Sequence, residues 1–403
     1  IADNMIEICE KKSCTGCGAC SHSCPKNCID LKENNEGFLY PVIDSDICVE
    51  CGKCKKVCPI NNLPEKNLSK FYMGWNRDDK TTMKSSSGGV FSALAKTIFD
   101  MNGVVFGASQ KYNPNYVYHT VVKSYDELDK IRLSKYNQSD LKDTFVEVKD
   151  FLLNNTPVLF CGTACQIGGL LKYLSFTKAK NNLSLLYTVD VLCHGVASQK
   201  TVNAFIKSKE KKYKKKIKKY YFRVKTNKEG WKSGCGTMKL VFNDGSSKVA
   251  PLGTDTFFLG FNNNLFLRES CYNCKYCGQK RVADFTIADY WGVPENSVSD
   301  KQLFRGVSVL TVNTSKASDL LSELEKYMVF SEISPEIAVA NNRSFSKPNP
   351  RPQNRDYFFE TLDKMDYDSA IKKLLGKTYI KSRIKYYIGQ DRIKKIKSIF
   401  KKH

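Results

Sequence analysis

Two cysteine-rich stretches, CTGCGACSHSCP at residues 14–25 and CVECGKCKKVCP at residues 48–59, decide the fold of the N-terminal part of this chain. Each follows the pattern C-x2-C-x2-C-x3-C-P, which is typical of small ferredoxins that hold two 4Fe-4S clusters. A tetrahedral zinc site needs four ligands but not this repeated spacing with a final Cys-Pro. The pattern therefore predicts two four-iron clusters and disfavours a pair of zinc sites.

The cysteines of the two stretches divide into two sets, because in two-cluster ferredoxins the fourth cysteine of each run binds the other cluster. We expect the first cluster to be held by Cys14, Cys17, Cys20 and Cys58, and the second by Cys48, Cys51, Cys54 and Cys24. Such a pair conducts single electrons. Because residues 61–68 have the composition of a linker, we predict a two-cluster ferredoxin-like domain at residues 1–62.

The composition of the chain limits the cellular compartments and the classes of partner to be expected. Its 403 residues include 17 cysteines, mostly in C-x2-C clusters, which favours metal binding in a reducing compartment over a disulfide framework. No apolar run is long enough to span a membrane and no signal peptide is evident, so we expect a cytoplasmic protein. The net charge of +23 suits acidic partners, including a small electron carrier, an anionic membrane surface or a phosphorylated substrate. We expect no nucleic acid, because no recognition motif accompanies the charge.

The larger part of the chain alternates short β-branched runs with amphipathic segments. The segments with helical or strand periodicity are residues 88–99, 103–107, 157–160 and 183–192. This alternation predicts an α/β domain at residues 70–345, with its site on loops at the ends of strands. A basic helical extension at residues 346–403 follows it.

The sequence SSSGG at residues 85–89 comes directly before the first predicted helix of the body. Unpaired backbone N–H groups at such a position can bind a phosphate or the edge of a flavin. The alternative is a serine-rich N-cap and turn without a ligand. Both interpretations stay open on this stretch alone.

A third group of cysteines is spread over the body of the chain. Cys165, Cys193, Cys271 and Cys274 lie in three separate segments and would suffice for another four-iron cluster. The alternatives are a small zinc site built from Cys271, Cys274 and Cys277, or unrelated buried thiols. Spacing alone does not decide among them.

Several ordered motifs resemble the beta-subunit family of coenzyme F-420 hydrogenases and dehydrogenases. They are Ser86-Ser87-Gly88-Gly89, Ser134-Lys135-Tyr136, GTACQ at residues 162–166, Cys193-His194-Gly195, FRVK at residues 222–225 with Gly230-Trp231, and RVADFTIADYWG at residues 281–292. The resemblance covers about residues 1–345 and includes the N-terminal ferredoxin domain. The chain departs from the family pattern at Ala164, where proline is commonest, and at Cys277, where a small residue is frequent.

The resemblance implies FAD and a 4Fe-4S cluster in the body, so the chain would carry three 4Fe-4S clusters and one FAD. It favours Cys165, Cys193, Cys271 and Cys274 as the third ligand set, with Cys277 as an alternative to one of them. The expected fold class is α/β (α+β mixed), with a small bacterial-type ferredoxin domain, a larger flavin-binding α/β domain and a basic helical tail.

The same motifs imply which residues contact the flavin. They are Ser86, Ser87, Gly88, Gly89, Lys135 and Tyr136, with Gln166 and Arg281 near the ring or the phosphates. His194 and Lys135 are the candidates for a catalytic proton donor.

These inferences predict an FAD- and 4Fe-4S-dependent oxidoreductase. It would pass electrons between a ferredoxin-like carrier and FAD, with hydride transfer to a small organic substrate whose identity the sequence does not give. One alternative is a deazaflavin coenzyme (F-420) dehydrogenase or ferredoxin reductase working in the opposite direction. Another is a non-catalytic electron-transfer subunit.

The C-terminal segments at residues 380–388 and 393–400 place apolar residues three or four positions apart, with cations between them. Such a helix lies on an anionic membrane surface or packs against protein, either its own body or a second copy of the chain. Peripheral membrane contact and a homo-oligomer are therefore both among the expected associations.

Overall fold

The computed structural model describes residues 7–228, 230–231, 237–251 and 254–388. The N-terminal unit consists of short helices and a two-stranded antiparallel sheet. Its elements are α1 (Ala19–His22), β1 (Ile29–Glu33), β2 (Leu39–Ile43) and α2 (Lys53–Val57). Each helix follows a glycine with positive φ, Gly18 at 75° and Gly52 at 69°, a conformation that glycine adopts without steric cost. Both cysteine runs can therefore turn tightly into a helix.

Strands of the body form two sheets. In chain order they are β3 (Lys70–Asn76), β4 (Val104–Tyr112), β5 (Asn115–Val122), β6 (Val158–Thr163), β7 (Leu186–Val191), β8 (Ile217–Val224), β9 (Thr237–Phe242), β10 (Ser247–Pro251), β11 (Phe285–Asp289), β12 (Ser308–Val312) and β13 (Met328–Glu332). Within the described residues, the larger sheet has eight strands in the order β13-β3-β12-β11-β7-β6-β4-β5, and the smaller has the order β10-β9-β8.

The direction of the strands determines where their loops meet. Strands β4, β6, β7 and β11 are parallel to one another. Strand β3 runs the same way, because β3 and β11 are both antiparallel to β12. The carboxyl ends of all these strands therefore lie at one edge of the sheet, where α/β proteins commonly place their ligands.

Helices of the body cover both faces of the large sheet. In chain order they are α3 (Asp79–Lys84), α4 (Val90–Asp100), α5 (Thr144–Leu153), α6 (Ala164–Ser175), α7 (Gln199–Tyr213), α8 (Thr256–Asn262), α9 (Asp300–Arg305), α10 (Ser315–Asp319), α11 (Leu321–Leu324), α12 (Pro335–Asn341), α13 (Arg355–Leu362) and α14 (Tyr367–Ile388). Short 3-10 helices span Tyr125–Lys130, Lys178–Leu185, Glu269–Asn273 and Arg343–Phe345. Helix α4 packs on one face with Val105 and Leu159, while α5 and α6 pack on the other with Phe106 and Phe160.

The predicted mixed α/β class is confirmed, and so are the helix after the SSSGG stretch and the strands near residues 104 and 158. The strand predicted at residues 183–192 begins only at Leu186, because the chain before it forms the 3-10 helix Lys178–Leu185. Parallel central strands are covered on both faces and therefore read as continuous apolar runs.

The N-terminal unit is packed firmly against the body. Cys17 and Val57 share a core with Ile167 and Leu170 of α6. The predicted linker is also ordered, since the backbone N–H of Asn67 donates to the carbonyl of Arg281 at 2.8 Å. The ferredoxin-like unit therefore has a fixed position relative to the body.

The C-terminal segment divides into an inner part and an outer part. Phe358, Tyr367 and Ile371 are buried in a core that also contains Phe38 of the N-terminal unit. Beyond a kink in α14 at Leu375, Tyr379 still packs against this core, whereas Ile380, Ile384 and Ile388 are exposed. The apolar segment predicted at residues 393–400 lies outside the described residues. Among the residues that are described, no helix is long and apolar enough to cross a membrane.

Candidate functional site

The first cysteine group surrounds a cavity in the N-terminal unit. The cysteines that line this cavity are Cys9, Cys14, Cys17, Cys20 and Cys58. Cys58 ends α2 and belongs to the second cysteine run, so the chain crosses over between the two runs. The structure thus brings together the four cysteines predicted for the first cluster, and it adds Cys9, which lies outside both cysteine runs.

The second cysteine group surrounds a separate cavity in the N-terminal unit. The cysteines that line it are Cys24, Cys28, Cys48, Cys51 and Cys54. Cys51 is exposed whereas Cys54 is buried, so this cavity reaches the molecular surface. Lys26 and Lys53 also line the cavity, and Lys55 and Lys56 are exposed beside it. The four cysteines predicted for the second cluster meet here, with Cys28 as an additional neighbour.

The third cysteine group meets at the carboxyl edge of the large sheet. Cys165 lies at the start of α6 directly after β6, and Cys193 comes shortly after β7. Cys271 and Cys274 come from the 3-10 helix Glu269–Asn273 and its C-cap. Burial raises the pKa values of Cys165, Cys193 and Cys271, and the charge of other cysteines in the group raises each of them further. Cys277 hydrogen-bonds Cys274 and therefore belongs to the same neighbourhood.

The thiols of the third group are of the kind that bind metal ions as thiolates. Burial raises the pKa of Cys165 to about 11 and that of Cys271 to about 12. Thiols of this kind stay protonated at neutral pH unless a bound metal ion deprotonates them. Neighbouring buried sulfur atoms are also the ligands that iron–sulfur clusters prefer.

The first and third groups are neighbours across α6. A Cβ atom placed on Gly169 would lie 2.8 Å from both Cβ and Sγ of Cys17, so the side chain of Cys17 packs directly against the backbone of Gly169. Cys165 lies four residues earlier on this helix, which is about 6 Å along the axis. One helical turn therefore separates the contact of the first group from a member of the third.

Tyr276 packs against Gly168 of α6, near cysteines of both groups. Its hydroxyl oxygen lies so close to Gly168 that a Cβ atom at this position would overlap it. The hydroxyl has no hydrogen-bond partner among the described residues. Burial raises the pKa of Tyr276, and the thiols of Cys17 and Cys165 add to this effect. Tyr276 is thus in electrostatic contact with both groups.

Arg268 fixes the first group to the body. Its guanidinium donates to the carbonyl oxygens of Cys14 at 2.8 Å and Leu39 at 2.9 Å, and to Oε1 of Gln138 at 2.8 Å. The group also stacks on the ring of Tyr40 at 4.1 Å from the centroid. Arg268 is 1% exposed, so these contacts hold the N-terminal unit through a buried cation.

The SSSGG stretch forms a loop at the carboxyl end of β3, and none of its serines caps α4. Ser85 donates to the carbonyl of Thr81, and Ser86 Oγ accepts from the backbone N–H of Ser134 at 3.0 Å. The N-cap of α4 is Gly89, with φ at 84° and no side-chain cap. The serine-rich N-cap considered from the sequence is therefore wrong, and the start of α4 lacks a capping side chain.

Two cations from the small sheet border this loop. Arg223 on β8 donates to the carbonyl of Ser86 at 3.1 Å and forms an ion pair with Asp289 at 2.8 Å. Lys225 donates to the carbonyl of Ser87 at 2.5 Å. Burial and the charge of Arg223 lower the pKa of Lys225 to about 7. These residues lie within motifs that carried the family resemblance, but the sequence did not reveal their contact with the loop.

Paired indoles extend the same site. The rings of Trp231 and Trp291 stack with centroids 4.9 Å apart and planes 4° from parallel. Nε1 of Trp231 donates to Asp289 at 2.7 Å, so the pair is tied to the ion pair of Asp289 and Arg223. A polar loop, a cation and a flat aromatic surface therefore lie side by side at this edge.

Lys135 lies beside this loop, because its neighbour Ser134 hydrogen-bonds Ser86. Its ammonium donates to the carbonyl of Arg132 at 2.5 Å. Burial lowers the pKa of Lys135 to about 7. The adjacent Tyr136 places its ring in an aromatic cluster, 4.9 Å from the centroid of Phe258.

The polar groups of Gln166 and Arg281 are engaged in internal contacts. Oε1 of Gln166 accepts from the backbone N–H of Thr163 at 2.9 Å, which completes a capping box at the start of α6. Arg281 forms a buried ion pair with Asp190 at 2.5 Å and lies close enough to Cys274 to affect its electrostatics. Arg281 therefore borders the third cysteine group.

His194 follows Cys193 directly and is packed against the ring of Phe261 at 4.8 Å between centroids. Burial lowers its pKa, and Nε2 lies 3.2 Å from the carbonyl oxygen of Phe261. In the described part of the chain no hydrogen bond or ion pair joins His194 to Lys135. The two candidate proton donors thus have separate surroundings.

Family models match two parts of the chain. Residues 156–336 match the C terminus of the coenzyme F420 hydrogenase/dehydrogenase beta subunit. Residues 13–62 match a 4Fe-4S dicluster domain, and residues 40–93 match a second model with that description. These two matches overlap across the second cysteine run.

One similar solved structure is a chain of the F420-reducing NiFe hydrogenase complex from Methanosarcina barkeri, studied by xenon derivatization. It shares 14% identity with this chain at a TM-score of 0.46, over 78% of this chain and 93% of that one. A search of curated proteins found no match. On the family matches, this chain is an iron–sulfur protein that joins a 4Fe-4S dicluster domain to a region, residues 156–336, that matches the coenzyme F420 hydrogenase/dehydrogenase beta-subunit family.

Proposed function

We propose that this protein is an iron–sulfur flavoprotein oxidoreductase, which passes electrons between a ferredoxin-like carrier and FAD and exchanges a hydride with an organic substrate. The observation that carries this proposal is the contact of Cys17 with Gly169, one helical turn from Cys165. It gives a continuous series of cysteine groups from the exposed second cavity to the edge of the large sheet.

Bound clusters would carry single electrons, and bound FAD would exchange two of them for a hydride. The residues that would hold the first two clusters are Cys14, Cys17, Cys20 and Cys58 for one, and Cys24, Cys48, Cys51 and Cys54 for the other. Cys165, Cys193, Cys271 and Cys274 would hold the third, with Cys277 as the alternative to Cys274.

Residues around α6 exclude water from the space between the first and third groups. Tyr276 is 4% exposed and packs against Gly168, beside the contact of Gly169 with Cys17. Arg268 holds the backbone of Cys14 from the body side. A dry, fixed separation favours electron transfer, because motion of the two units would vary the distance.

The loop at Ser86 to Gly89 is our proposed site for the flavin. The uncapped N-terminus of α4 attracts an anion such as the pyrophosphate, and Lys225 gains a favourable partner when one binds. Arg223 and Lys225 hold the carbonyls of the two serines, which orients the loop. Gln166 and Arg281 would stabilise the surrounding structure, through the capping box with Thr163 and the ion pair with Asp190.

Lys135 is our preferred proton donor for the reaction. A group with a pKa near 7 can hold and release a proton at neutral pH, which suits general acid and base catalysis. Lys135 is also linked through Ser134 to the loop proposed for the flavin. His194 neighbours Cys193 and remains the second candidate.

The second cavity is the proposed docking point for the carrier. Cys51 is exposed there, and Lys26, Lys53, Lys55 and Lys56 surround it. Positive charge around an exposed redox site accelerates the approach of an acidic carrier and orients it. A small acidic ferredoxin has this chemistry.

A second candidate function is oxidation or reduction of the deazaflavin coenzyme F420, with the electrons leaving through the ferredoxin-like unit. The description of the matching family, coenzyme F420 hydrogenase/dehydrogenase beta subunit, favours it. A non-catalytic electron-transfer subunit is a third, in which a partner supplies the substrate site.

Metal and flavin analysis tests the proposed function. Protein purified without oxygen should contain about twelve iron atoms, about as many acid-labile sulfides and one FAD per chain. Reduced deazaflavin and photoreduced ferredoxin should then be tried separately as electron donors. Zinc in place of iron, or the absence of flavin after gentle isolation, would refute the proposal.

A further inference from the structure

Each of the three cysteine groups contains, among the described residues, one cysteine more than a four-iron cluster requires. The extra members are Cys9, Cys28 and Cys277. Cys28 shows the arrangement most clearly, because its Sγ lies 3.4 Å from Sγ of Cys24. It is 5% exposed and lines the same cavity as Cys24.

The backbone fixes Cys28 in this position. Cys24 opens a turn in which the backbone N–H of Asn27 donates to the carbonyl of Cys24 at 3.2 Å, with Asn27 at a φ of 51°. This turn folds the chain back, so that Cys28 follows Cys24 into the cavity. The carbonyl of Cys28 accepts from the N–H of Asp44 at 2.8 Å, which ties it to the hairpin of β1 and β2.

Cys24 and Cys28 differ in their access to water. Cys24 is half-buried at the rim beside the exposed Pro25 and Lys26, whereas Cys28 lies behind it in the core of the unit. Cys28 also interacts with the side chain of Cys48, another of the cysteines around this cavity. Its sulfur therefore lies between two of the proposed ligands.

We propose that Cys28 is a reserve ligand of the second cluster and can replace Cys24 at one iron atom. The inference rests on the proposed iron–sulfur cluster in this cavity. Exchange breaks the iron–sulfur bond of Cys24 and forms one to Cys28, and the thiol proton of Cys28 moves to the released sulfur of Cys24. No electron is gained or lost, and the 3.4 Å separation allows direct proton transfer.

The first test uses alanine variants of the full-length chain, purified without oxygen. Cys24→Ala should keep the iron and sulfide content of the wild type and show an altered EPR spectrum after reduction by dithionite. Cys24→Ala combined with Cys28→Ala should lose about four iron atoms. Cys51→Ala is the matched control, and it should lose a similar amount because, among the described residues, no cysteine outside the proposed ligand set hydrogen-bonds its sulfur. Equal losses in Cys24→Ala and the double variant would overturn the proposal.

The second test keeps Cys24 in place. It therefore does not depend on whether the Cys24→Ala variants fold. Cys28→Ala protein should bind all its iron, but a strong iron chelator should remove iron from the second site several-fold faster than in the wild type. Cys161→Ala controls for the loss of a half-buried thiol elsewhere. Equal rates in Cys28→Ala and wild type would contradict a reserve ligand. Absence of iron from wild-type N-terminal sites would instead refute the proposed function.

Discussion

Lys225 is a single residue beside the proposed flavin site whose charge state should respond to flavin binding. Its ammonium lies against the carbonyl oxygens of Thr82 and Ser87, and burial with the charge of Arg223 lowers its pKa from 10.5 to about 7. The lysine is therefore mostly neutral at pH 8.5 in the flavin-free protein. An anion nearby favours the charged form and raises the pKa again.

Binding of FAD at pH 8.5 should consequently take up a proton, up to about one per flavin. Lys225→Met should lose this uptake and bind FAD at least about tenfold more weakly, which corresponds to about 1.4 kcal/mol. Calorimetry in two buffers of different ionisation enthalpy measures both quantities. Lys248→Met, at an exposed position on β10, is the control and should behave as the wild type.

The lowered pKa of Lys225 also leads to a prediction of how the stability of the flavin-free protein depends on pH. Because the pKa is lower in the folded state, unfolding takes up a proton between about pH 7 and pH 10.5. The free energy of unfolding should therefore rise with pH across this window by up to about 1.4 kcal/mol per unit from Lys225. Lys225→Met should show a flatter profile, and an unchanged profile would contradict a buried neutral lysine.

Helix α6 is the element that relates the two units. It carries Cys165 at its first turn and Gly169 one turn later, where the helix touches Cys17. A side chain at Gly169 would overlap Cys17, since the Cβ atom would lie 2.8 Å from its atoms. The sequence shows two adjacent glycines in a helical pattern, but not what they approach.

Gly169→Ala should displace the N-terminal unit from α6 and cost about 1–3 kcal/mol of unfolding free energy through overpacking. Iron and flavin contents should stay at wild-type levels, while reduction of the flavin by photoreduced ferredoxin becomes several-fold slower. Stopped-flow absorbance measures this rate. Gly376→Ala in α14, where an added Cβ meets nothing within 4 Å, should leave the rate unchanged. Wild-type rates in Gly169→Ala would argue against the contact at α6 as the route.

The outer part of α14 is a second element with a specific expectation. Ile380 and Ile384 are 59% and 45% exposed, and Lys381 and Arg383 lie between them. Apolar residues flanked by cations suit the surface of an anionic membrane. We therefore propose a peripheral membrane contact here, in preference to a homo-oligomer.

Ile380→Glu combined with Ile384→Glu should abolish most binding to vesicles that contain anionic lipid. Iron and flavin contents should not change, because both side chains point away from the packed core. Flotation of the holoprotein with vesicles at low and moderate salt measures the effect. Removal of residues 380–403 should act in the same way. Vesicle binding at the wild-type level would contradict the membrane contact, and a change from oligomer to monomer would support the alternative.

At the scale of the whole molecule, the sequence predicted features that depend on residues close together in the chain better than contacts between distant residues. The spacing of the N-terminal cysteines predicted which of them meet, because both runs fold within one small unit. Three strands of the large sheet, β4, β6 and β7, were predicted from apolar runs, since burial on both faces removes polar alternation. The start of the strand at Leu186 was missed, because a short 3-10 helix has no distinctive periodicity.

The contacts between units were beyond sequence reasoning because their partners are far apart in the chain. Arg268 and Cys14 are separated by 254 positions, and Arg355 joins Glu36 across 319. A buried arginine and an exposed one look the same in a sequence. Cys277 also stays an alternative, because it hydrogen-bonds Cys274 and shares its neighbourhood.

Our central claim is that the cysteine groups form one route from the N-terminal unit to the flavin, with the third group as its last member. The most direct test is flavin reduction in Cys193→Ser protein mixed anaerobically with photoreduced ferredoxin and followed by stopped-flow absorbance. Loss of one thiolate should remove up to about four iron atoms and slow this reduction strongly, while the N-terminal clusters are still reduced. Dithionite should still reduce the flavin, because its proposed loop is elsewhere. Full iron content with a wild-type rate of flavin reduction would contradict the claim.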